Sequence, residues 1–115
     1  MITVEHQKDL TIVGVFGELV LADYRQFQQE VLQQLQTLGR VNVLIDLRAM
    51  LAYTLDVALE DVKFTRDHAA AVGRIAIVSG RVWAKWTAFL SQLFVHSELR
   101  VFDTETAARE WLAES

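Results

Sequence analysis

Cysteine and proline are both absent from the 115-residue sequence. Without cysteine, a disulfide, a thiolate nucleophile and a thiolate metal site are all excluded. The absence of disulfides suits a reducing compartment. Without proline, the turns of the chain must be marked by its five glycines and by clusters of polar residues.

Positive charge and long apolar runs are also scarce. The chain has 11 Lys and Arg against 15 Asp and Glu, a formal net charge of −4. No block of basic residues is long enough to follow a phosphate backbone, so nucleic-acid binding is not expected. No apolar run approaches the roughly 20 residues of a membrane-spanning helix, and the first ten residues do not resemble a signal peptide. We therefore expect a cytoplasmic protein without a transmembrane segment.

The residues that are present indicate one globular domain. Hydrophobic residues make up 52% of the chain and charged residues 23%, the balance of an ordinary folded protein. No linker, repeat or low-complexity tract interrupts the sequence, so we expect a single domain over residues 1–115.

Strand-like and helix-like segments alternate along the chain. Apolar and β-branched runs predict strands near residues 2–6, 10–16, 41–47, 74–78 and 99–102. Helices are predicted over residues 23–38, 54–71 and 82–96 and after residue 104. The order ββαβαβαβα predicts an α/β fold with a mixed, mostly parallel five-stranded sheet and four helices. The first two strands are expected to pair antiparallel.

Capping and breaking residues set the predicted boundaries. Gly17 is expected to end the second strand, and Asp23 to cap the first helix together with Gln26. Gly39 and Gly73 are expected to end the first and second helices. Thr54 and Thr104 are candidate N-caps, Glu105 and Arg109 are spaced to form an ion pair, and residues 48–53 are predicted to form a loop. One face of the first helix is predicted to carry Tyr24, Phe27, Val31, Leu35 and Leu38.

Several segments together resemble the SpoIIAA-like (STAS-type) proteins. They are Leu59-Glu60-Asp61-Val62-Lys63-Phe64 with His68, Arg74-Ile75-Ala76-Ile77-Val78 followed by Trp83-x-Lys85-Trp86, and Glu98-Leu99-Arg100-Val101-Phe102-Asp103 followed by Ala108-x-x-Trp111-Leu112. Residues 17–24 are similar to the family's turn into its first helix. The resemblance covers nearly the whole chain. It implies a STAS fold, related to anti-sigma-factor antagonists and similar in shape to Sec14-type lipid carriers, and it does not imply catalysis.

The sequence departs from that family at one place. Phosphorylated antagonists carry an Asp-Ser-Ser-Gly-like motif at the start of the helix that follows the central strand. Here residues 46–55 read Asp-Leu-Arg-Ala-Met-Leu-Ala-Tyr-Thr-Leu. Thr54 is the only Ser or Thr hydroxyl near that helix start and is therefore the candidate phosphorylation site.

A ligand site is expected where the parallel strands end, because open α/β sheets bind ligands at their carboxyl ends. Arg48, Tyr53 and Arg81 lie in segments predicted to meet there. Arg81 also precedes a predicted helix, whose first N–H groups favour an anion. A small anionic or amphipathic ligand is one interpretation. The alternative is that both arginines are simply solvated.

The third predicted helix has apolar residues around most of its circumference, more than one sheet face requires. Trp83, Trp86 and Phe94 are its candidate contact residues for a ligand, a lipid or a second copy of the chain. Alternatively, the tryptophans pack onto the second predicted helix within the monomer.

Signals for catalysis are weak. His6, His68 and His96 are too scattered to predict a metal site. An enzyme would need a cluster such as Asp46, Lys63 and His68 around a cleft, and no cofactor motif is present. We expect a non-catalytic module that forms a homodimer and binds a small apolar or amphipathic ligand. The alternative is a partner-switching protein that acts through protein–protein contacts.

Overall fold

The computed structural model describes residues 1–8, 10–54, 56–57, 60, 72–80 and 98–114. Within these residues the chain forms the following elements: β1 (Ile2–Gln7), β2 (Leu10–Leu19), α1 (Leu21–Leu38), β3 (Val41–Tyr53), β4 (Val72–Val78), β5 (Leu99–Phe102) and α2 (Glu105–Ala113).

The five strands form one mixed sheet, in agreement with the prediction. Their spatial order is β1-β2-β3-β4-β5. β1 and β2 form the expected antiparallel pair, and the other neighbouring strands are parallel. The described residues contain two helices rather than the four that were predicted. Residues 56, 57 and 60 are helical where the second predicted helix begins, but most of that helix and all of the third lie outside the described residues.

Helix α1 ends at its C-cap Gly39, as predicted, but it does not begin at Asp23. It begins at Leu21, and its N-cap residue Val20 makes no side-chain capping bond. Asp23 therefore lies in the first turn, where its carboxylate is 3.2 Å from the amino group of Met1. At the other end Gly39 has a left-handed backbone (φ 79°) and its N–H donates to Leu35 O at 2.8 Å. Leu38, predicted to face the core, is 47% exposed.

Strand β3 is much longer than predicted, because residues 48–53 continue the strand instead of forming a loop. They pair in parallel with the end of β2, for example Phe16 with Ala49 and Leu19 with Tyr53. The register shifts twice along this pairing, between Gly14 and Phe16 and between Gly17 and Glu18. Such bulges interrupt the alternation of side chains by which a strand is recognised in a sequence. Gly17 (φ 67°) lies at the second shift and does not end β2, contrary to the prediction.

Strand β4 includes Gly73, which was expected to end a helix. The register shifts opposite this glycine, between Val41 and Val43. The side-chain Oδ1 of the buried Asn42 accepts from the backbone N–H of Arg74 at 2.8 Å and so satisfies a donor at the irregularity. A Cβ on Gly73 would overlap Asn42 Oδ1 and approach Arg40 Nε to 2.8 Å. Glycine is thus required here by lack of space.

Replacing Gly73 by alanine is expected to lower the free energy of unfolding by about 1–3 kcal/mol, because the added methyl group must displace Asn42 from its bond to Arg74. Urea denaturation followed by circular dichroism measures the change. Gly80→Ala is the matched control, since no described atom lies within 4 Å of a Cβ at that position. Equal stability of the two variants would contradict this account of the β4 irregularity.

Two apolar cores lie on opposite faces of the sheet. The larger joins α1 to β2, β3 and β4 through residues such as Val13, Val31, Leu47 and Ile77. The smaller joins α2 to the other face through Leu44, Ala76, Val78, Ala108, Trp111 and Leu112. Thr104 caps α2 as predicted, accepting from Ala107 N at 3.2 Å, and Glu105 and Arg109 form the predicted pair at 3.4 Å.

Candidate functional site

The carboxyl ends of the parallel strands meet at one edge of the sheet, where α/β folds bind ligands. β2 and β3 end side by side, and Thr54 N donates to Leu19 O at 3.2 Å. β4 and β5 also end together, and Ser79 N donates to Phe102 O at 3.1 Å. Of the residues predicted to form a site here, Arg48 and Tyr53 lie on β3 and Thr54 directly follows it.

β3 extends further at this edge than its neighbour β4. Pairing between the two strands ends at Asp46 and Val78. Beyond that point, within the described part of the chain, β3 pairs only with β2, through Ala49, Met50, Ala52 and Tyr53. Leu47 and Met50 remain buried in the α1 core, whereas Leu51 is 81% exposed.

A second exposed apolar side chain lies on the neighbouring strand β2. Phe16 is 43% exposed and pairs with Ala49. Phe16 lies on the face opposite α1, because its ring is 3.2 Å from where a Cβ on Gly14 would stand, between the core residues Val13 and Val15. Leu51 has no partner on β2 and falls at the second register shift, and its side chain is exposed. Phe16, Ala49 and Leu51, which we call the edge patch, are exposed apolar residues on the part of β2 and β3 that extends beyond the end of β4.

Arg48, a predicted ligand-binding residue, is bound by Asp46. Its Nε and backbone N donate to Asp46 Oδ1, both at 3.0 Å, and its Nη2 donates to Oδ2 at 2.8 Å. Residues two apart on a strand share a face, which allows this forked contact. The bond from the Arg48 guanidinium holds the pKa of the Asp46 carboxyl below its ordinary value of 3.8, although burial opposes the effect. The same bond raises the pKa of Arg48.

The lowered pKa of Asp46 predicts a pH-dependent contribution to stability. A carboxyl with a depressed pKa in the folded state stabilises the fold above its unfolded-state pKa and loses that contribution as the pH falls through the folded-state value. We expect Asp46→Asn to lower the free energy of unfolding at pH 7 by less than about 1 kcal/mol, because the pair is partly solvated. The difference from wild type should shrink as the pH falls below the ordinary carboxyl pKa of 3.8, and it should vanish once the folded-state carboxyl is protonated. A difference independent of pH in urea melts would contradict this assignment.

Thr54, the candidate phosphorylation site, lies directly after β3 and is half-buried. Its hydroxyl donates to Asp56 Oδ1. The same carboxylate oxygen accepts from Val57 N at 2.9 Å. Asp56 Oδ1 therefore accepts both from the Thr54 hydroxyl and from an N–H of the helical turn that begins here. A phosphate on Thr54 would lie against the Asp56 carboxylate, and like charges at such a distance repel.

The other predicted site residues fall into two groups. Tyr53 is half-buried and packs against the core under α1. Arg81, Trp83, Trp86 and Phe94 lie outside the described residues, as do Lys63, His68 and His96. The cluster of Asp46, Lys63 and His68 that an enzyme would need is therefore untested.

His6 links β1 to its neighbours. Its Nε2 lies 2.7 Å from Glu30 Oε2, and its Nδ1 lies 3.1 Å from the hydroxyl of the buried Thr11. Across the described ranges, no three His, Cys, Asp or Glu side chains group so as to hold a metal ion. Neither α1 nor α2 is long and apolar enough to cross a membrane.

Sequence reasoning missed the edge patch. The apolar run Met50-Leu51-Ala52 in a supposed loop was the available signal. The contact between Asp56 and Thr54 depends on the backbone geometry of the turn.

Comparison with known proteins agrees with the fold. The family model described as SpoIIAA-like matches residues 10–113. An uncharacterized DUF3478-family protein from Shewanella loihica with a SpoIIAA-like fold has a TM-score of 0.77 at 23% identity, over 97% of this chain and 92% of its own. The anti-sigma factor antagonist SpoIIAA in its unphosphorylated form has a TM-score of 0.68 at 12% identity, over the full length of both chains.

A third solved structure is also similar. An anti-sigma factor antagonist from Mycobacterium paratuberculosis has a TM-score of 0.66 at 16% identity, over 98% of this chain and 95% of its own. No curated protein sequence matches. Because the family model covers nearly the whole chain, and the resemblance in its sequence and the architecture of its sheet point the same way, the chain belongs to the SpoIIAA-like family.

Proposed function

We propose that this protein is a non-catalytic regulatory module that binds a protein partner at the carboxyl end of its sheet. Two solved structures with a similar fold are named as anti-sigma factor antagonists, which supports a regulatory role. The single observation that carries the proposal is Leu51, a leucine 81% exposed at the edge where α/β folds bind ligands.

An exposed leucine here is informative because of its surroundings. Leu47 and Met50 on the same strand are 1% and 2% exposed, so the strand is firmly anchored. A rigid support lets an exposed side chain bind without the cost of ordering a loop. Burying Leu51 fully in an interface would contribute about 1.5–3 kcal/mol. A small apolar centre of this kind is typical of interface hot spots.

Comparative affinity capture tests the proposal. Tagged wild type, Leu51→Ser and Leu38→Ser are used as baits in lysate of the source organism, and bound proteins are identified by mass spectrometry. Leu38 is the matched control because it is also an exposed leucine, 47% exposed, at the end of α1. We expect a protein that wild type and Leu38→Ser retain and that Leu51→Ser loses. Identical capture by all three baits would contradict the proposed site.

A further question is whether phosphorylation of Thr54 controls partner binding. SpoIIAA itself is known in a phosphorylated form, and that structure has a TM-score of 0.59 with this chain at 14% identity. Because Asp56 already occupies the hydroxyl of Thr54, we infer that partner binding here does not depend on a phosphate at this residue.

The inference about Thr54 predicts that incubation with cell lysate and ATP adds no phosphate to the chain, as measured by intact mass. The reason is the repulsion that a phosphate would meet from Asp56. Thr54→Val is the control for modification elsewhere. Stoichiometric phosphate on wild type but not on Thr54→Val would overturn it.

The small amphipathic ligand and the homodimer remain predictions. They rest on Trp83, Trp86 and Phe94, which lie outside the described residues. Native mass spectrometry of gently purified protein measures both properties, through extra mass lost on denaturation and through a doubled mass. The cytoplasmic location likewise remains a prediction.

A further inference from the structure

The charges around Leu51 suggest the chemistry of the partner, given the proposed function. Glu18 is exposed and pairs in register with Ala52, the residue after Leu51. Asp56 is also exposed and follows the end of β3. Glu18 therefore lies at the end of β2, opposite the residue that follows Leu51, and Asp56 lies just beyond the end of β3.

Among the described residues, the cations at this edge are already paired. Arg48 is held in the fork with Asp46, and Glu105 also acts on it electrostatically. The amino group of Met1 lies 3.2 Å from the Asp23 carboxylate. Among the described residues at this edge, no cation pairs with the Glu18 or Asp56 carboxylate.

We propose that the edge patch docks a protein surface in which Lys or Arg side chains surround an apolar one. Covering Leu51 removes water from Glu18 and Asp56, and a carboxylate that loses water without gaining a partner destabilises the complex. Basic side chains on the partner remove this cost, whereas acidic ones add repulsion. The charges thus select among partners, while Leu51 and Phe16 supply the apolar contact.

The opposite end of the molecule provides an internal comparison. Leu38 is exposed there too, but its neighbour in sequence beyond Gly39 is the exposed Arg40. A leucine with a basic neighbour should not attract a basic peptide. If only apolar contact drives binding, a peptide should bind equally well at Leu38 and at Leu51. If charge also contributes, a basic peptide should bind at Leu51 and not at Leu38.

Two synthetic peptides of equal length and identical leucine positions test the inference. One has lysine at every polar position and the other glutamate. Each is titrated into isotope-labelled protein while backbone amide signals are followed by NMR. We expect the lysine peptide to shift the amides of Glu18, Leu51 and their neighbours, and the glutamate peptide to leave them unchanged. Glu18→Lys should weaken binding of the lysine peptide about tenfold and Glu18→Gln less. Leu38→Ser should have no effect.

Absence of binding by the lysine peptide, equal binding of both peptides, or shifts centred on Leu38 would each overturn the inference about charge. These outcomes are separable from failure of the proposed function. If lysate capture depends on Leu51 but the lysine peptide does not bind at the edge patch, only the basic character of the partner is wrong. If capture is independent of Leu51, the docking site itself is wrong.

Discussion

Replacing Trp111 by alanine is expected to lower the free energy of unfolding by about 3–5 kcal/mol. Trp111 is 8% exposed and lies in the core that joins α2 to the sheet. Its ring centroid is 5.6 Å from that of Phe102, and the Arg74 guanidinium lies 4.8 Å above the ring. The large loss is expected because α2 has only nine residues and is held to the sheet mainly by such contacts.

Urea denaturation followed by circular dichroism measures this change. Trp111→Phe is the matched control, since it keeps an aromatic ring beside Phe102 and should cost less than the alanine variant. Arg74 also makes a hydrogen bond to the helix, in which its Nη1 donates to Trp111 O at 2.7 Å. A loss below about 1 kcal/mol for Trp111→Ala would mean that α2 is not anchored through this ring.

The second large effect is expected at Leu47, where alanine should lower the free energy of unfolding by about 2–5 kcal/mol. Leu47 is 1% exposed and packs in the core under α1. It lies within the first register shift of β3, so its side chain anchors the part of the strand that leads to the edge patch. Removing it leaves a cavity that the sheet cannot readily close.

Leu51→Ala is the matched control on the same strand. Its side chain is 81% exposed, so the free energy of unfolding should change by no more than about 0.5 kcal/mol. Thermal or urea unfolding of the two variants provides the comparison. Similar losses at both positions would contradict the described burial of Leu47 and exposure of Leu51, and with it the basis of the proposed interface.

Features set by local chemistry could be predicted from the sequence. Gly39 ends α1 because a left-handed residue is needed there, and Thr104 caps α2 through its own hydroxyl. The short strand Leu99–Phe102 and the mixed five-stranded sheet were also predicted correctly. In each case one residue, or one alternating or periodic pattern, carries the signal.

Features set by contacts between distant segments could not be predicted in this way. Gly73 resembles a helix stop, but its role depends on Asn42 in the neighbouring strand. Residues 48–53 resemble a loop, because two register shifts against β2 break the alternation. Asp23 resembles a cap, but the helix begins two residues earlier at Leu21.

Arg48 and Thr54 lie at the edge of the sheet where a site was predicted, but their contacts were not predicted. Arg48 lies there, yet it is held by Asp46, and Thr54 is held by Asp56. Leu51 was missed because an apolar residue in a supposed loop has no defined exposure until the neighbouring strand is in place. These contacts depend on backbone geometry that residue spacing alone does not specify.

Photo-crosslinking tests the central claim most directly. A photoreactive amino acid is placed at position 51, and in a second variant at position 38, and each is expressed and irradiated in the source cells. We expect an adduct with a different protein from position 51 and not from position 38. Equal adducts at both positions, no adduct from position 51, or an adduct only with a second copy of the chain would contradict a partner-binding site at the carboxyl end of the sheet.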